Sequence, residues 1–258
     1  MVLSSLPDEQ LMRVMERSRG QGRNDYPVRS VWNSILAGVV FQHPSLESLR
    51  RELQRNGELR ERCGFNPLLD ADAVPPARVY TRFLRKLIRH LDHLEALFET
   101  LVEQLQEVLP DLGQHLAGDS KALPSAGKPT TKDPDGRRET DADQGKKEYQ
   151  GTRPDGALRT KITSWFGFKL HLSVDARHEL PLAYRVTRAS AADTTEIRPL
   201  MASLSQKHEQ LVRRSKYMFL DRGSDSTENN RMLYETYGII PLSDIRHDCL
   251  KTRENDLI

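Results

Sequence analysis

The stretch from Trp165 to Val174 constrains the fold more than any other. Phe166, Phe168, Leu170, Leu172 and Val174 alternate with Trp165, Gly167, Lys169, His171 and Ser173. Alternation at period two marks a strand with two unlike faces, and a lone strand leaves its backbone donors and acceptors unpaired. Partner strands must therefore come from elsewhere in the chain. One follows at once: Asp175-Ala-Arg-His-Glu179 has turn composition, and in the run Leu180 to Thr187 the residues Leu182, Tyr184 and Val186 alternate with Ala183 and Arg185. Together the two runs predict a β-hairpin. Asp175 opens its turn and reads as a turn former. Lys169, His171 and Arg185 lie on its polar face, solvated or packed against a helix.

Further elements follow on both sides. Asp193-Thr-Thr-Glu196 predicts a helix start by a variant capping box, with Ile197, Leu200, Met201 and Leu204 facing a core. Tyr217 to Leu220 is a short strand ending at Asp221. Arg222-Gly-Ser-Asp225 reads as a turn, and Asp225 with Glu228 as another capped start for a helix that Gly238 ends. Ile239 to Leu242 reads as a strand. Upstream, Gln-His-Leu-Ala-Gly-Asp (114–119) is a strand-like run closed by Asp119. Residues 124–160 are rich in Gly, Pro and both signs of charge, with few aromatics. Such a segment buries too little apolar surface to offset ordering entropy, so a long flexible insertion is expected there. The order is strand, loop, strand, strand, helix, strand, helix, strand. It fits an α+β fold with an RNase H-like mixed β-sheet, in which an antiparallel meander is extended by parallel strands through helices.

Residues 1–110 read as a separate helical domain, followed by the mixed domain at 111–258. Pro27 suits a first helical turn, and Val31, Trp32, Ile35, Leu36, Val39 and Val40 follow at helical spacing. Trp32 reads as core. Ser45 is an expected N-cap, Asn56-Gly57 interrupts that helix, and Pro67 and Pro75-Pro76 bound a loop. A single long helix is predicted from Arg78 to Leu109, with the stripe Val79, Phe83, Leu87, Leu91, Leu94, Phe98, Leu101 and Leu105. Arg78, Arg82, Arg85, Lys86 and Arg89 crowd its first half, and Glu95, Glu99, Glu103 and Glu107 its second. The acidic row reads as a solvated face. The basic row has two readings, a solvated face and a DNA-binding stripe that meets phosphates.

Composition limits the alternatives. The formal net charge of the 258 residues is +2, so any nucleic-acid surface must be local. Cys63 and Cys249 lie far apart, with no Cys-x-x-Cys and no secretory signal, and read as free thiols of a reducing cytoplasm. The longest apolar stretch, Ile35 to Phe41, is too short to span a bilayer, so no membrane partner is expected. His90 and His93 can share a helix face, but neither His-Glu-x-x-His nor paired cysteines occur, and no zinc site is expected. No phosphate-binding Gly-Lys-Ser/Thr loop is present.

Asp119 and Asp221 carry the chemistry. They stand 221 − 119 = 102 residues apart, each closing a strand-like run, so only the fold brings them together. Paired carboxylates at neighbouring strand ends suit Mg²⁺, a hard cation that takes one or two carboxylates and keeps waters.

With Gly-Asp-Ser-Lys (118–121), Phe166 to Ala176, Glu179 to Thr187, Leu-Asp-Arg-Gly-Ser-Asp-Ser (220–226) and Tyr-Gly-Ile-Ile-Pro (237–241), the chain resembles insertion-sequence transposases of the DDE class from bacteria. Asp119 matches the family's first acid. Asp221 matches the second, in an Asp-x-Gly-Tyr-Asp-like motif with Gly223 and Asp225 in register and Ser224 in place of the aromatic. The resemblance implies a cytoplasmic, nucleoid-associated enzyme that binds its terminal inverted repeats and target DNA. It implies strand cleavage and transfer with Mg²⁺ (or Mn²⁺) at Asp119 and Asp221, by a homo-oligomer pairing two ends. The family's third acid is a Glu on a later helix. Glu254 stands too early for it, so a C-terminally truncated transposase with little strand-transfer activity of its own is expected; the alternative is a catalytically inactive remnant that binds DNA.

Overall fold

The computed structural model describes residues 5–20, 24–125, 127, 140–152, 158–221, 223, 224 and 226–243, with the backbone alone at 67, 70, 71, 149–152 and 158. The chain divides into two compact units, Met1–Gln104 and Leu105–Ile258.

The first unit is helical. Its elements are α1 (Glu9–Arg19), α2 (Val28–Val40), α3 (Leu46–Arg55), α4 (Gly57–Cys63), a 3-10 turn (Pro67–Ala73), α5 (Ala77–Leu87), a second 3-10 turn (Ile88–His90) and the start of α6 (Leu91–Val108). Ser45 caps α3 by accepting from the Ser48 amide, and Asn56 caps α4 by accepting from Leu59. Pro27 precedes α2, its missing N–H lying where no helical bond is needed. Trp32 is buried beside Phe83 at a centroid distance of 6.3 Å. Its Nε1 donates to the buried carboxylate of Asp8 at 2.6 Å, and Arg29 supplies the counter-charge.

Two expectations are corrected here. The single helix from Arg78 to Leu109 is two helices joined by the 3-10 turn at Ile88–His90, although the apolar spacing of the sequence continues across the join. Within α6 the buried residues are Leu97 and Val102, while Leu94 and Leu101 are only partly covered and Leu91 is 49% exposed. A short 3-10 turn keeps the chain moving in the helical sense but changes the angle per residue, so the inward row shifts.

The second unit is a mixed sheet with helices. Its elements are β1 (His115–Pro124), β2 (Asp143–Thr152), β3 (Leu158–Asp175), β4 (Pro181–Arg188), α7 (Asp193–Lys207), α8 (Glu209–Arg214), β5 (Tyr217–Leu220), α9 (Thr227–Tyr237) and β6 (Ile240–Ser243). The order across the sheet is β2-β3-β1-β5-β6, with β4 also on β3. β3 pairs antiparallel with β1, β2 and β4, while β1–β5 and β5–β6 are parallel. Gly167 pairs with Pro124 on one edge and Asp143 on the other, so β2 takes over the edge of β3 that β4 vacates.

The insertion expected at 124–160 is therefore partly strand. Asp143–Thr152 forms ten cross-strand pairs with Leu158–Gly167, and β3 begins seven residues earlier than its alternation suggested. Backbone pairing holds this ribbon, whose side chains carry no apolar rhythm. Residues 128–139 and 153–157 lie outside the described part.

One face of the sheet is covered by α7 through Ile197, Leu200, Met201 and Leu204. The strand row beneath it includes Leu116, Gly118, Met218 and Leu220, but also His171 and Ser173. Those two polar residues of β3 are buried, whereas Tyr184, Val186, Phe219, Ile240 and Leu242 on the opposite face are all at least 38% exposed.

Candidate active site

β1 and β5 run parallel with Gly118 and Leu220 as Cα partners. Asp119 and Asp221 each follow immediately. Neighbouring strands lie about 4.8 Å apart, so the two acids leave from adjacent strand positions. Asp119 does not close its strand, as the sequence suggested. β1 continues to Pro124 against β3, with Asp119 opposite Leu172, and only the pairing with β5 stops at Gly118. The acid thus sits on a rigid strand where one neighbour falls away.

Gly118 explains how the strand reaches this position. A Cβ there would stand 2.9 Å from Leu220 Cδ2 and 3.1 Å from Met218 Cε, with Ile197 of α7 at 3.4 Å. The alternation of the strand then turns Asp119 to the face opposite α7. Both acids are exposed.

The turn after β5 is held from within. The Ser224 amide donates to Asp221 Oδ1 at 2.9 Å and to the Asp221 carbonyl at 3.1 Å. Ser224 is buried, and its carbonyl accepts from Asn229 Nδ2 at 3.2 Å, while the same amide group donates to Thr194 O at 2.8 Å. Asn229 therefore ties the turn carrying Asp221 to the first turn of α7. The capping of α9 differs from the expectation at Asp225: Ser226 is the cap and accepts from the Asn229 amide. Sequence reasoning passed over Ser226 and Asn229, although Ser at a helix start was a readable signal. Arg222 and Asp225 lie outside the described residues, as do Glu254 and Cys249.

Asp193 is also corrected. Ala192 is the cap residue of α7, and the Asp193 carboxylate instead accepts from Lys169 Nζ at 3.1 Å. Lys169 further donates to Ala191 O, and Arg185 donates to Glu196 at 2.7 Å. His171 Nε2 lies 2.9 Å from Thr187 Oγ1. Burial holds its ring below the ordinary imidazole range, against the pull of Asp193. The polar face of the hairpin is thus a docking surface for α7.

Asp175 is buried at the end of β3 and accepts from the amides of Gly113 (2.6 Å), Arg177 (3.0 Å) and His178 (2.6 Å). Burial works to raise its carboxyl, but the amides of His178 and Gly113 and the His178 ring outweigh it and hold the group below the usual carboxylate range.

The basic row lies on α5 and the 3-10 turn. Arg78, Arg82, Arg85 and Arg89 are exposed, and none has an acidic partner among the described residues. Lys86 differs from them, being half-buried with Nζ donating to Ser18 O at 3.0 Å. Arg78, Arg82 and Lys86 line a groove with Tyr26 and Phe83.

The donor set at Asp119 and Asp221 fits a hard divalent cation. It consists of exposed carboxylate oxygens, and neither acid is ion-paired among the described residues. The strand order and flanking helices place the chain in the α+β, RNase H-like class. Its family is more specific: the model of the transposase DDE domain matches residues 112–256, over half of the chain, which belongs to that family. No curated protein and no solved structure matches the chain. Among the described residues no helix is long and apolar enough to cross a membrane.

Proposed function

We propose that this chain carries out DNA transposition by metal-dependent cleavage at the ends of an insertion element and transfer of the freed 3′-hydroxyl to target DNA. The observation that supports this reading is the parallel register Gly118↔Leu220, each partner being followed at once by an acid, Asp119 and Asp221. Membership of the transposase DDE family supports it.

In this reading Asp119 and Asp221 hold Mg²⁺ or Mn²⁺ through their free oxygens. A divalent ion there supplies the positive charge that activates a hydroxyl and stabilises the leaving oxygen. Asp119 is fixed by strand pairing on the β3 side, and Asp221 by the Ser224 amide. Arg78, Arg82, Arg85 and Arg89 offer unpaired guanidinium groups to DNA phosphates, as the salt-sensitive part of binding requires. Lys86 contributes less, since its ammonium is engaged by Ser18. Transposition joins two ends to one target, so a homo-oligomer is the working form.

The test is incubation of the full chain and Mg²⁺ with a supercoiled plasmid bearing the element's inverted ends. Mg²⁺-dependent products, joined or nicked, are expected, and Asp221→Asn should abolish them while leaving DNA retention on a gel unchanged. Nicks without joining would reduce the activity to that of a nuclease. Retention with neither product would favour a DNA-binding remnant, and products surviving Asp221→Asn would contradict the assigned site.

A further inference from the structure

We propose that His90, Asp92 and His93 form a second metal site, in the helical unit, for a late first-row divalent cation of the zinc class. The inference does not rest on the transposase reading. One ligand atom from each residue lies within 4.8 Å of the other two. A tetrahedral zinc ion with bonds of about 2.0–2.2 Å holds its donors about 3.4 Å apart, so side-chain shifts of up to about 1.4 Å close the set.

The geometry comes from the break between α5 and α6. The 3-10 turn Ile88–His90 leads directly into α6, and side chains three apart eclipse in that tighter helix. The rings of His90, which ends the 3-10 turn, and His93, in the first turn of α6, meet edge to face at 6.1 Å. Asp92, which an ideal α-helix would turn away, brings Oδ2 to 3.0 Å from His93 Nδ1.

That contact is incompletely satisfied. His93 Nδ1 is buried from solvent; the Asp92 carboxylate beside it is held below the usual carboxylate range by the ring, yet lies off the line of a well-aligned N–H hydrogen bond. A cation between the ring nitrogen and the carboxylate meets both at once. His90 and His93 are half-buried and pre-positioned, while Asp92 is exposed and free to turn. Two imidazoles and one carboxylate with an open fourth position suit Zn²⁺, Co²⁺, Ni²⁺ or Cu²⁺ and disfavour Mg²⁺, which selects oxygen donors.

Calorimetric titration of the full chain with zinc chloride tests the site, with the ligand-field absorption of Co²⁺ as a second readout. One equivalent should bind, with cobalt bands of nitrogen ligation. His93→Ala should weaken binding about 100-fold or more, beyond what loss of a residue merely orienting a ligand does. Asp92→Asn, at an exposed position that spares the fold, should weaken it at least about tenfold. His43→Gln and the double variant Asp119→Asn/Asp221→Asn should leave it unchanged. No saturable binding would overturn the proposal. So would binding that survives both His93→Ala and Asp92→Asn, or that disappears with the carboxylate pair.

Discussion

Gly167 shows how one residue fixes a long strand. Its φ is 151°, and an added Cβ would run into the backbone of Leu123 and Ser125 across the sheet. At this residue β3 carries β1 on one edge and passes from β4 to β2 on the other. Gly167→Ala is expected to destabilise the sheet unit by about 1–3 kcal/mol, the range for a strained backbone position. Thermal melting of the variant checks this, and an unchanged midpoint would contradict it. Asp175 acts by charge. Its carboxyl is lowered in the folded state, so its contribution is complete above the unfolded value of about 3.9 and is lost as pH falls through the lower folded value. Asp175→Asn should therefore cost about 1.5–3 kcal/mol at neutral pH, the range for hydrogen bonds to a charged group. The gap from the parent should narrow below about pH 4. A gap that stayed constant down the acid limb of a denaturation series would show that the charge is not what matters. Cys63 shows that a free thiol need not be a reactive one: burial pushes it up to about 11.

Elements with a strong period were legible in the sequence, and elements held mainly by backbone pairing were not. The second half of β3, β4, β5, α7 and β6 all lie where apolar spacing and turn residues set them. β2 was read as part of a flexible insertion because Asp143–Thr152 has no apolar alternation, yet it completes a ladder with Leu158–Gly167. The α5–α6 break was hidden by a stripe that continues across it. β3 carried a different difficulty: its alternation was plain, but the row that lies buried is the polar one, His171, Ser173 and Asp175. Polarity alone did not reveal that Asp193 and Glu196 would satisfy Lys169 and Arg185. That the strands before Asp119 and Asp221 would be neighbours was legible in outline, whereas the anchoring of the Asp221 turn by Asn229 was not. On α5, the exposed arginines make a prediction at this scale. Arg82→Gln, Arg85→Gln and Arg89→Gln together should weaken DNA binding and reduce the slope of log affinity against log salt by about 0.9 per lost phosphate contact. Unchanged affinity would make the row a solvated helix face.

For the whole molecule, the formal charge of +2 leaves nucleic-acid recognition to local groups. The acids and the apolar residues Phe219, Ile240 and Leu242 belong to neighbouring positions of the same sheet, with each of those three at least 41% exposed. The central claim is that Asp119 and Asp221, remote in the chain, share one cation. Fe²⁺ substituted for Mg²⁺ in the full chain, with ascorbate and peroxide, cuts backbone close to wherever the metal resides. The account predicts paired cuts near residues 119 and 221, suppressed together by excess Mg²⁺ and lost together in Asp221→Asn. Cuts at one position alone, or cuts near 119 that persist in Asp221→Asn, would contradict it.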